Sequence, residues 1–387
     1  MSKIVFFCIP AHGHTNPTLG VVAELIRRGH QVWYYSYSPF REKIEATGAT
    51  FVACDEFDAE AKLTKEEGER LGDDLALSTR VLVDTTLALD DTVCRHMQEI
   101  QPDCIVADSM AVWGKAAARK LGIPFVSSTT TFAFNKESAK VMKQSFGQMA
   151  NLLFSMGKIQ KNIKRLQAAG YPIHSVLDLI QNDNDTDTIV YTSPEFQPCA
   201  DSFSEKYSFV GPSLRRPEAV IEKTGEKLVY VSLGTVKTGT ADFYRQCIQA
   251  LTGYQVILSV GRDFDISQLG EIPAGVTVAP FVDQMAVLGK ADAFVTHCGM
   301  NSASEGLAME VPLVLYPQTT EQGGVARRVE ELGAGLRLTE VKNLRQAVDT
   351  VLCDGKYRDQ AHAIAETFRR CPGAKGAADK IESICRK

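Results

Sequence analysis

The sequence predicts an α/β protein made of two Rossmann-like, doubly wound domains. Short apolar runs of strand length alternate with stretches of helical periodicity from the first residues onward. The alternation stops at a segment rich in proline, glycine and charge, and then resumes. Strand–helix–strand repetition is typical of a parallel sheet covered by helices on both faces. A chain of 387 residues is long enough for two domains of roughly 100–200 residues each.

The first domain is predicted at 1–206. Lys3–Ile9 has the apolar character of a buried strand, and a helix is predicted next because apolar residues recur at helical spacing from Leu19 to Ile26. Gly29 is a suitable end for that helix. The next predicted elements are the strand Gln31–Tyr37, the strand Cys104–Ala107, the helix Ala111–Leu121 and the strand Pro124–Ser127.

A linker is predicted at 207–227, because this segment contains Gly211–Pro212, Pro217 and several charged residues. The second domain is predicted at 228–387, and its last helix, Ala374–Cys385, could pack back on the first domain. Ligands of doubly wound sheets bind beyond the carboxyl ends of the strands, so we expect a site in the cleft between the two domains. The predicted strands of the second domain are Leu228–Leu233, Gln255–Val260, Val276–Pro280, Ala293–Thr296 and Pro312–Tyr316.

The composition argues against several classes of function. A net charge of -5 gives no electrostatic basis for binding nucleic acid or an anionic membrane. No run approaches the roughly 20 apolar residues of a membrane span, and the short apolar run Ile4–Ile9 lacks the features of a signal peptide. The ten cysteines form no C-x-x-C pair, which favours reduced thiols in a cytoplasmic protein. No cluster of histidines suggests a metal site, so we expect neither a metal nor a cofactor.

The first predicted strand runs into a loop that carries two histidines, Pro10–Pro17. The loop has no G-x-G-x-x-G pattern and is not built for a dinucleotide pyrophosphate. Histidine titrates near neutral pH, and a histidine base needs a carboxylate that fixes its tautomer. His14 and Asp108 are the candidate pair because both follow buried strands, whereas Asp103 precedes its strand. The alternative is structural: His14 caps a turn and Asp108 is the N-cap of the next helix.

A second polar loop lies between the predicted strand Ala293–Thr296 and a predicted helix, Ser302–Met309. The backbone N–H groups at a helix start form an anion site, and His297, Asn301 and Ser302 add side-chain donors. These groups suit a diphosphate without a lysine or a metal. Turns rich in glycine, asparagine and serine are also common as purely structural features.

Polar residues around this turn suit a nucleotide sugar. Glu305, one turn into the helix, could accept hydrogen bonds from two vicinal hydroxyls such as those of a ribose. Glu321 and Gln322, in the predicted loop Pro317–Gly323, could bind sugar hydroxyls. Ser232–Thr235 ends the first strand of the second domain and could meet the same anion. A lone glutamate, by contrast, is usually part of a solvated surface.

Together these motifs resemble the UDP-dependent glycosyltransferases of family 1, and most closely their bacterial macrolide-type branch. The resemblance touches both predicted domains and most of the chain. Gly13–Pro17 is similar to the family's catalytic-histidine loop, and Ser232–Thr235 also matches. The segments that resemble the donor-binding signature are Phe281–Gln284, His297–Ser302, Glu305, Pro312, Pro317 and Glu321–Gln322.

The resemblance implies a GT-B fold, with the acceptor on the first domain and the nucleotide sugar on the second. It implies that His14 is the catalytic base and that Asp108 is its partner. Phe281 would stack on the uracil, Gln284 would contact the base, and Glu305 would hold the ribose hydroxyls. The other implied donor contacts are His297, Gly299, Asn301 and Ser302 at the diphosphate, Glu321 and Gln322 at the sugar, and Gly234, Thr235, Val282, Thr130 and Thr131.

The implied reaction is inverting, metal-independent transfer of a hexose, by default glucose, from a UDP-sugar to a hydroxyl of a small apolar acceptor. The UDP-sugar is a co-substrate rather than a cofactor. Phenols, flavonoids, polyketides and macrolides are the implied acceptor classes. Phe132, Met142 and Phe146 belong to an apolar stretch that could wall the acceptor pocket, although a helix packed on the sheet explains the same pattern.

The sequence departs from the family pattern at three positions. Phe281 replaces a frequent tryptophan, Asp283 replaces a proline, and Met300 replaces a frequent tryptophan or glycine. These changes bear on nucleotide affinity rather than on the reaction class. Two other functions stay open from the sequence: a UDP-sugar epimerase of the same fold and a non-catalytic, nucleotide-binding regulator. A serine hydrolase is disfavoured because the sequence has no G-x-S-x-G motif.

Overall fold

The computed structural model describes residues 1–57, 62–71, 74–141, 146–180, 182, 184–224, 226–234 and 240–386. The chain divides into two compact units, Met1–Ser213 together with Pro372–Lys387, and Leu214–Cys371. The first division lies inside the segment predicted as a linker, and the last helix is part of the first unit. No helix in the described ranges is both long and apolar enough to cross a membrane.

Seven described strands form a parallel sheet at the centre of the first unit. They are, in chain order, β1 (Lys3–Phe7), β2 (Gln31–Ser36), β3 (Thr50–Ala53), β4 (Cys104–Asp108), β5 (Phe125–Thr129), β6 (Thr188–Val190) and β7 (Tyr207–Phe209). Their order across the sheet is β3-β2-β1-β4-β5-β6-β7. β1 and β4 are therefore neighbours, with Phe7 opposite Ala107, although the chain passes through β2 and β3 between them.

Helices cover both faces of this sheet, because alternate residues of β1 enter two different hydrophobic clusters. Val5 packs in the cluster that contains Val93 of a long helix, and Ile4 packs in the cluster that contains Leu25 of the first helix. The α-helices of this unit are α1 (His12–Arg27), α2 (Arg41–Glu45), α3 (Lys65–Arg70), α4 (Leu75–Ile100), α5 (Val112–Leu121), α6 (Lys136–Val141), α7 (Phe146–Ala168), α8 (Val176–Ile180) and α15 (Gly373–Cys385).

The C-terminal helix α15 packs against α1. Ile381 is fully buried in the cluster that contains Leu25. At the end of α1, the Arg28 guanidinium donates a hydrogen bond to the Asp379 carboxylate at 2.6 Å. Burial of apolar side chains and this ion pair together account for the position of the last helix on the first unit.

Two predicted boundaries in the first unit are wrong. The first helix begins at His12, so the histidine-containing segment forms its first turns rather than a loop. The linker was predicted to begin at Tyr207, but Tyr207–Phe209 pairs with β6 as an edge strand. The Tyr207 side chain packs with Ala133 and Val190, and this apolar contact holds the segment in the sheet.

Six described strands form a second parallel sheet in the other unit. They are β8 (Leu228–Ser232), β9 (Gln255–Ser259), β10 (Val276–Ala279), β11 (Ala293–Thr296), β12 (Leu313–Leu315) and β13 (Gly335–Arg337). Their order is β10-β9-β8-β11-β12-β13, so β8 and β11 are neighbours, as β1 and β4 are in the first sheet. The α-helices of this unit are α9 (Ala241–Ala250), α10 (Gln284–Leu288), α11 (Met300–Ala308), α12 (Thr320–Glu331), α13 (Leu344–Cys353) and α14 (Gly355–Arg370).

Candidate functional site

Each unit has a polar site where the strand order of its sheet reverses. In the first sheet the reversal lies between β1 and β4, and in the second it lies between β8 and β11. Doubly wound sheets bind their ligands beyond the carboxyl ends of the strands at such points. The predicted residues His14 and Asp108 belong to the first reversal, and Gly234 and His297 belong to the second.

His14 and Asp108 form a hydrogen-bonded pair. Asp108 is the last residue of β4, and His14 lies in the first turn of α1, shortly after β1. The Nδ1 atom of His14 is 2.8 Å from Oδ2 of Asp108, whose side chain is fully buried. Oδ1 of Asp108 accepts a hydrogen bond from the backbone N–H of Met110 at 2.9 Å. Asp108 is not the N-cap of the following helix, because α5 begins at Val112 with Ala111 at that position.

This pairing determines which nitrogen of His14 carries the proton in the neutral imidazole. An ionised carboxylate only accepts hydrogen bonds, so the N–H that faces Asp108 must lie at Nδ1. The lone pair of the ring is then at Nε2, the atom that would act as a general base. The His14 side chain is 18% exposed and is therefore accessible to a ligand.

Thr130 adds a third group to this pair. It follows β5, the strand next to β4, and its hydroxyl oxygen lies 3.1 Å from Nδ1 of His14. The sequence resemblance placed Thr130 near the diphosphate, whereas in the structure its buried hydroxyl contacts the histidine. The neighbouring Thr131 donates its hydroxyl hydrogen bond to the carbonyl of Phe132 at 3.4 Å.

The three residues predicted to contact the acceptor have different outcomes. Phe132 is buried, and its ring packs on Phe196 with 5.5 Å between centroids, so it belongs to the protein interior. This packing agrees with the structural alternative given for the apolar stretch, and a contact of Phe132 with the acceptor stays a prediction. Met142 lies outside the described residues. Phe146 begins α7, and its side chain also lies outside the described part.

Two exposed apolar side chains follow the strands that carry Asp108 and precede Thr130, and of these Met110 was not considered in the sequence analysis. Met110 is 44% exposed, and its backbone N–H binds Asp108. Phe134 is 41% exposed and follows β5 in the segment that begins with Thr130. Both residues lie beyond the ends of the neighbouring strands β4 and β5. Their positions shortly after Asp108 and Thr130 in the sequence are the signal that could have identified them.

The His297 imidazole lies between two glycines in the second unit. A Cβ atom at Gly234 would lie 2.6 Å from the ring, and one at Gly299 would lie 2.5 Å from its Nε2 atom. Gly234 also has a φ angle of +79°, which favours glycine. Any other residue at either position would displace His297, which explains both glycines of this predicted site. Thr235, predicted beside Gly234, lies outside the described residues.

Burial keeps His297 neutral. Removal from solvent lowers the pKa of His297 to about 4, although a backbone hydrogen bond at Ser232 opposes this effect. Its Nδ1 atom is buried and has no hydrogen-bond partner within the described part of the chain. The imidazole at this turn is therefore an uncharged hydrogen-bonding group.

The helix that follows His297 begins two residues earlier than predicted. α11 starts at Met300, with Gly299 at the N-cap, which provides no side-chain hydrogen bond. Asn301, which was predicted to precede the helix, and Ser302, which was predicted to begin it, both lie in its first turn. The backbone N–H groups of a first turn have no partners within the helix, and they attract anions together with the helix dipole. The turn is therefore suited to a phosphate group.

Glu305, one turn further along α11, is held by Gln284. The amide Nε2 of Gln284 donates hydrogen bonds to Oε2 of Glu305 at 2.5 Å and to Oγ of Ser302 at 3.3 Å. Burial raises the pKa of Glu305, and the Gln284 amide partly counteracts this by stabilising the carboxylate. The contact of Gln284 with a nucleotide base stays a prediction; in the structure its amide binds the carboxylate that was predicted to hold the ribose.

Phe281 provides an exposed aromatic face ahead of α10. It is 59% exposed, and the Arg262 guanidinium lies 5.9 Å from the ring centroid. Val282 is half-buried beside it. An exposed ring of this kind suits stacking on a nucleotide base. The structure thus places the predicted Phe281 where its face is accessible.

Asp283, the residue that departs from the family's proline, has a structural role. Its side chain accepts the N-cap hydrogen bond of α10 from the Ala286 N–H at 3.3 Å. It also accepts from the backbone N–H groups of Glu218 and Ala219, at 2.6 and 3.0 Å. Asp283 therefore ties the segment before β8 to the start of α10, which the sequence interpretation did not detect.

Glu321 and Gln322 lie in the first turn of α12, so the prediction that they belong to a loop is wrong. Thr319 is the N-cap, and its hydroxyl accepts a hydrogen bond from the Gln322 N–H at 3.4 Å. Oε1 of Gln322 in turn accepts from the backbone N–H of Gln318 at 2.7 Å. This contact fixes the amide oxygen and turns the amide nitrogen toward other partners.

Among the residues that the structure describes, no group of histidine, cysteine, aspartate or glutamate side chains could hold a metal ion. The polar groups at the second site are instead amides, hydroxyls, one neutral imidazole and one buried carboxylate. Such a set suits hydrogen bonding to phosphate oxygens and to sugar hydroxyls.

Comparisons with known proteins identify relatives of the whole chain. Residues 254–384 match the family model described as erythromycin biosynthesis protein CIII-like, C-terminal domain. An uncharacterized UDP-glucosyltransferase of Bacillus subtilis strain 168 is 32% identical, over 98% of this chain and 97% of its own length. The oleandomycin glycosyltransferase of Streptomyces antibioticus is 30% identical, over 99% of this chain and 90% of its own length.

The fold also resembles a solved structure over its full length. The crystal structure of the glycotransferase of kitacinnamycin matches this chain with a TM-score of 0.82 and 27% identity. The match covers 99% of this chain and 98% of that chain. Sequence and fold comparisons therefore lead to the same kind of enzyme.

Proposed function

The chain belongs to the family 1 glycosyltransferases and has their GT-B fold, and on this premise we propose that it transfers a hexose from a UDP-sugar to a hydroxyl group of a small apolar acceptor. The observation that carries the proposal is the pairing of His14 with the buried Asp108. This pairing leaves Nε2 of His14 as the basic atom, which is what activation of a hydroxyl group requires.

The proposed reaction is a single displacement. Nε2 of His14 removes the proton of the acceptor hydroxyl, and the oxygen attacks the anomeric carbon of the sugar. The bond between that carbon and the diphosphate oxygen breaks, and UDP leaves with the electron pair. Asp108 stabilises the imidazolium that forms. One base and no enzyme nucleophile imply inversion, so an α-linked donor gives a β-glycoside.

The second unit would bind the donor. The first turn of α11 and the neutral imidazole of His297 would meet the diphosphate, and their fixed dipoles would stabilise the charge that develops on the leaving group. Phe281 would stack on the base, and Glu305 would accept from the ribose. Because these groups would stabilise the negative charge of the diphosphate, the proposal requires neither a metal nor a cofactor.

Glucose is the sugar we propose first, and an apolar natural product is the acceptor class. The Bacillus subtilis relative is named as a UDP-glucosyltransferase, which supports glucose. The Streptomyces antibioticus relative is named for oleandomycin, which supports a macrolide or a similar polyketide. Phenols and flavonoids belong to the same proposal because exposed Met110 and Phe134 provide apolar contacts. We place the enzyme in the cytoplasm, where its ten free cysteines would stay reduced.

The test is to offer UDP-glucose with a panel of phenols, flavonoids and macrolides and to measure a mass gain of one hexose. We expect wild-type protein to give the product and His14→Ala to lose about 10²–10⁴-fold of the turnover while it still binds UDP. His12→Ala is the matched control, because His12 packs edge-on against Phe40 rather than on Asp108.

Three outcomes would contradict the proposal. Wild-type turnover in the His14→Ala protein would remove His14 as the base. Conversion of UDP-glucose to an epimer without any acceptor would indicate an epimerase. UDP binding without turnover for any acceptor would indicate a regulator.

A further inference from the structure

Tyr230 carries a buried hydroxyl group directly behind the donor site. The residue lies in β8, and its ring stacks on Phe294 of β11 with 4.8 Å between centroids and 15° between planes. The side chain is almost completely buried, at 1% exposure. Its hydroxyl donates a hydrogen bond to Oε1 of Gln284 at 3.1 Å. Because the ring is stacked on Phe294, the position of the hydroxyl relative to the sheet is fixed.

The Tyr230 hydroxyl anchors the oxygen end of the Gln284 amide. A side-chain amide has one accepting end and one donating end, and they exchange places when the group rotates by half a turn. The Glu305 carboxylate can only accept, so Nε2 points to Glu305 and Ser302, and the bond from Tyr230 to Oε1 holds the amide in that place. In the opposite orientation, the amide oxygen would face the carboxylate and repel it.

The Gln284 amide in turn determines how Glu305 is presented. Glu305 is 7% exposed, and the Oε2 atom of its carboxylate accepts from Gln284 at 2.5 Å. Its Oε1 atom makes no hydrogen bond to another residue in the described ranges. Oε2 is thus occupied by Gln284, and Oε1 is left to accept a hydrogen bond from a ligand hydroxyl.

We propose that Tyr230 is a positioning residue for nucleotide recognition: through Gln284 it keeps the Glu305 carboxylate turned toward the ribose and so sets the preference for a ribonucleoside diphosphate over a 2′-deoxyribonucleoside diphosphate. The inference rests on the proposed binding of a UDP-sugar. A ribose donates its 2′-hydroxyl to the carboxylate, and a deoxyribose leaves the buried charge without that partner. Polar sites built for a hydroxyl discriminate strongly against analogues that lack it.

The experiment compares UDP and dTDP binding by isothermal titration calorimetry for wild-type protein and Tyr230→Phe. The substitution keeps the ring stack on Phe294 and removes only the hydroxyl. We expect UDP affinity to fall by about tenfold to a hundredfold and dTDP affinity to change by less than about threefold, because the lost contact serves a charged hydrogen bond. The KM for the UDP-sugar should rise while kcat stays within about twofold.

Two controls separate positioning from a general effect on the fold. Tyr244→Phe removes another buried tyrosine hydroxyl of the same unit, one that donates to the Val260 carbonyl at 3.4 Å. This variant should keep the wild-type ratio of UDP to dTDP affinity. Tyr230→Phe added to Glu305→Ala should not change the ratio further, because the carboxylate through which Tyr230 acts is gone.

The outcomes distinguish this inference from the function on which it rests. If wild-type protein binds neither UDP nor dTDP, the proposed function fails. If wild-type protein prefers UDP and Tyr230→Phe keeps that preference, the function stands and the role of Tyr230 is wrong. Equal losses for both nucleotides would also overturn the role, because they would show a general disturbance of the site.

Discussion

The hydroxyl oxygen of Thr130 lies 3.1 Å from Nδ1 of His14, the same atom that faces Asp108 at 2.8 Å. One N–H group thus has two oxygen acceptors, which come from the ends of the neighbouring strands β4 and β5. Two acceptors on one nitrogen restrict the rotation of the imidazole more than one carboxylate does. Thr130 therefore contributes to the direction in which Nε2 of His14 points.

The first prediction concerns this contact. Thr130→Val keeps the shape of the side chain and removes the hydroxyl, so the imidazole gains rotational freedom. We expect kcat for transfer from UDP-glucose to fall by about threefold to thirtyfold, because one neutral hydrogen bond contributes about 0.5–1.5 kcal/mol and small misplacements of a base are costly. Steady-state kinetics with one phenol acceptor would measure it.

Thr86→Val provides the control for the loss of a buried threonine hydroxyl. Thr86 is buried in α4, and its hydroxyl donates to the Leu82 carbonyl of the same helix at 2.7 Å. The Thr86→Val variant should keep the wild-type kcat. Equal kcat in the two variants would show that Thr130 does not orient His14.

The His14–Asp108 pair could be predicted from the sequence, whereas the contact between Thr130 and His14 could not. Buried runs identified β1 and β4, and side chains that follow parallel strands gather at one edge of a sheet. That reasoning selected Asp108 over Asp103, which lies at the other end of its strand. The contact of Thr130 depends on β5 lying next to β4 and on the path of the chain after β5, and neither leaves a periodic pattern in the sequence.

Prediction of the donor site from the sequence has the same limit, because contacts between different elements leave no local pattern. The spacing from His297 to Glu305 placed both residues on one strand–turn–helix segment, as the structure has them. The hydrogen bond between Gln284 and Glu305 joins two different helices, and the Tyr230 hydroxyl reaches it from a buried strand. A tyrosine in an apolar run looks like a core residue, so its polar end could not be assigned before the tertiary contacts were known.

The second prediction uses the glycine that adjoins His297. Gly299 has φ −59° and ψ 140°, which alanine adopts easily, so Gly299→Ala tests space and not backbone strain. The new methyl group would lie 2.5 Å from Nε2 of His297 and must displace the ring. We expect UDP to bind about tenfold or more weakly, measured by calorimetry. Gly355→Ala, where an added methyl group meets nothing within 4 Å, should leave UDP affinity unchanged.

Unchanged UDP affinity in the Gly299→Ala protein would show that the position of His297 does not matter for the diphosphate. A similar loss in the Gly355→Ala protein would mean that the assay reports stability instead. Only a selective loss at Gly299 supports the assignment of this turn to the anion.

The third prediction follows from the neutral state of His297. Burial lowers its pKa from 6.5 to about 4. Between these values the unfolded chain binds a proton at this position that the folded chain does not bind. The free energy of unfolding therefore falls as the pH decreases through this window, by up to about 3 kcal/mol for this one group.

His297→Asn removes this group, so the variant lacks that part of the pH dependence. We expect the difference in free energy of unfolding, wild type minus variant, to shrink by up to about 3 kcal/mol between pH 7 and about pH 4. Denaturant unfolding followed by circular dichroism at several pH values would measure the difference. A difference that stays constant across the window would show that His297 titrates normally in the folded protein.

The last prediction concerns the acceptor. Met110 and Phe134 are exposed beyond the ends of neighbouring strands, and Met110 is tied to Asp108 through its backbone N–H. An apolar acceptor that reaches His14 would cover part of both side chains, and burial of such side chains contributes up to about 1.5–3 kcal/mol each. Met110→Ala and Phe134→Ala should each raise the acceptor KM by about threefold to tenfold. The KM for the UDP-sugar should stay the same, because the donor residues lie in the other unit.

Leu177→Ala, which truncates a 57% exposed leucine of α8, is the matched control and should change neither constant. If the two site variants raise the UDP-sugar KM instead, or resemble Leu177→Ala, the acceptor does not bind over this surface.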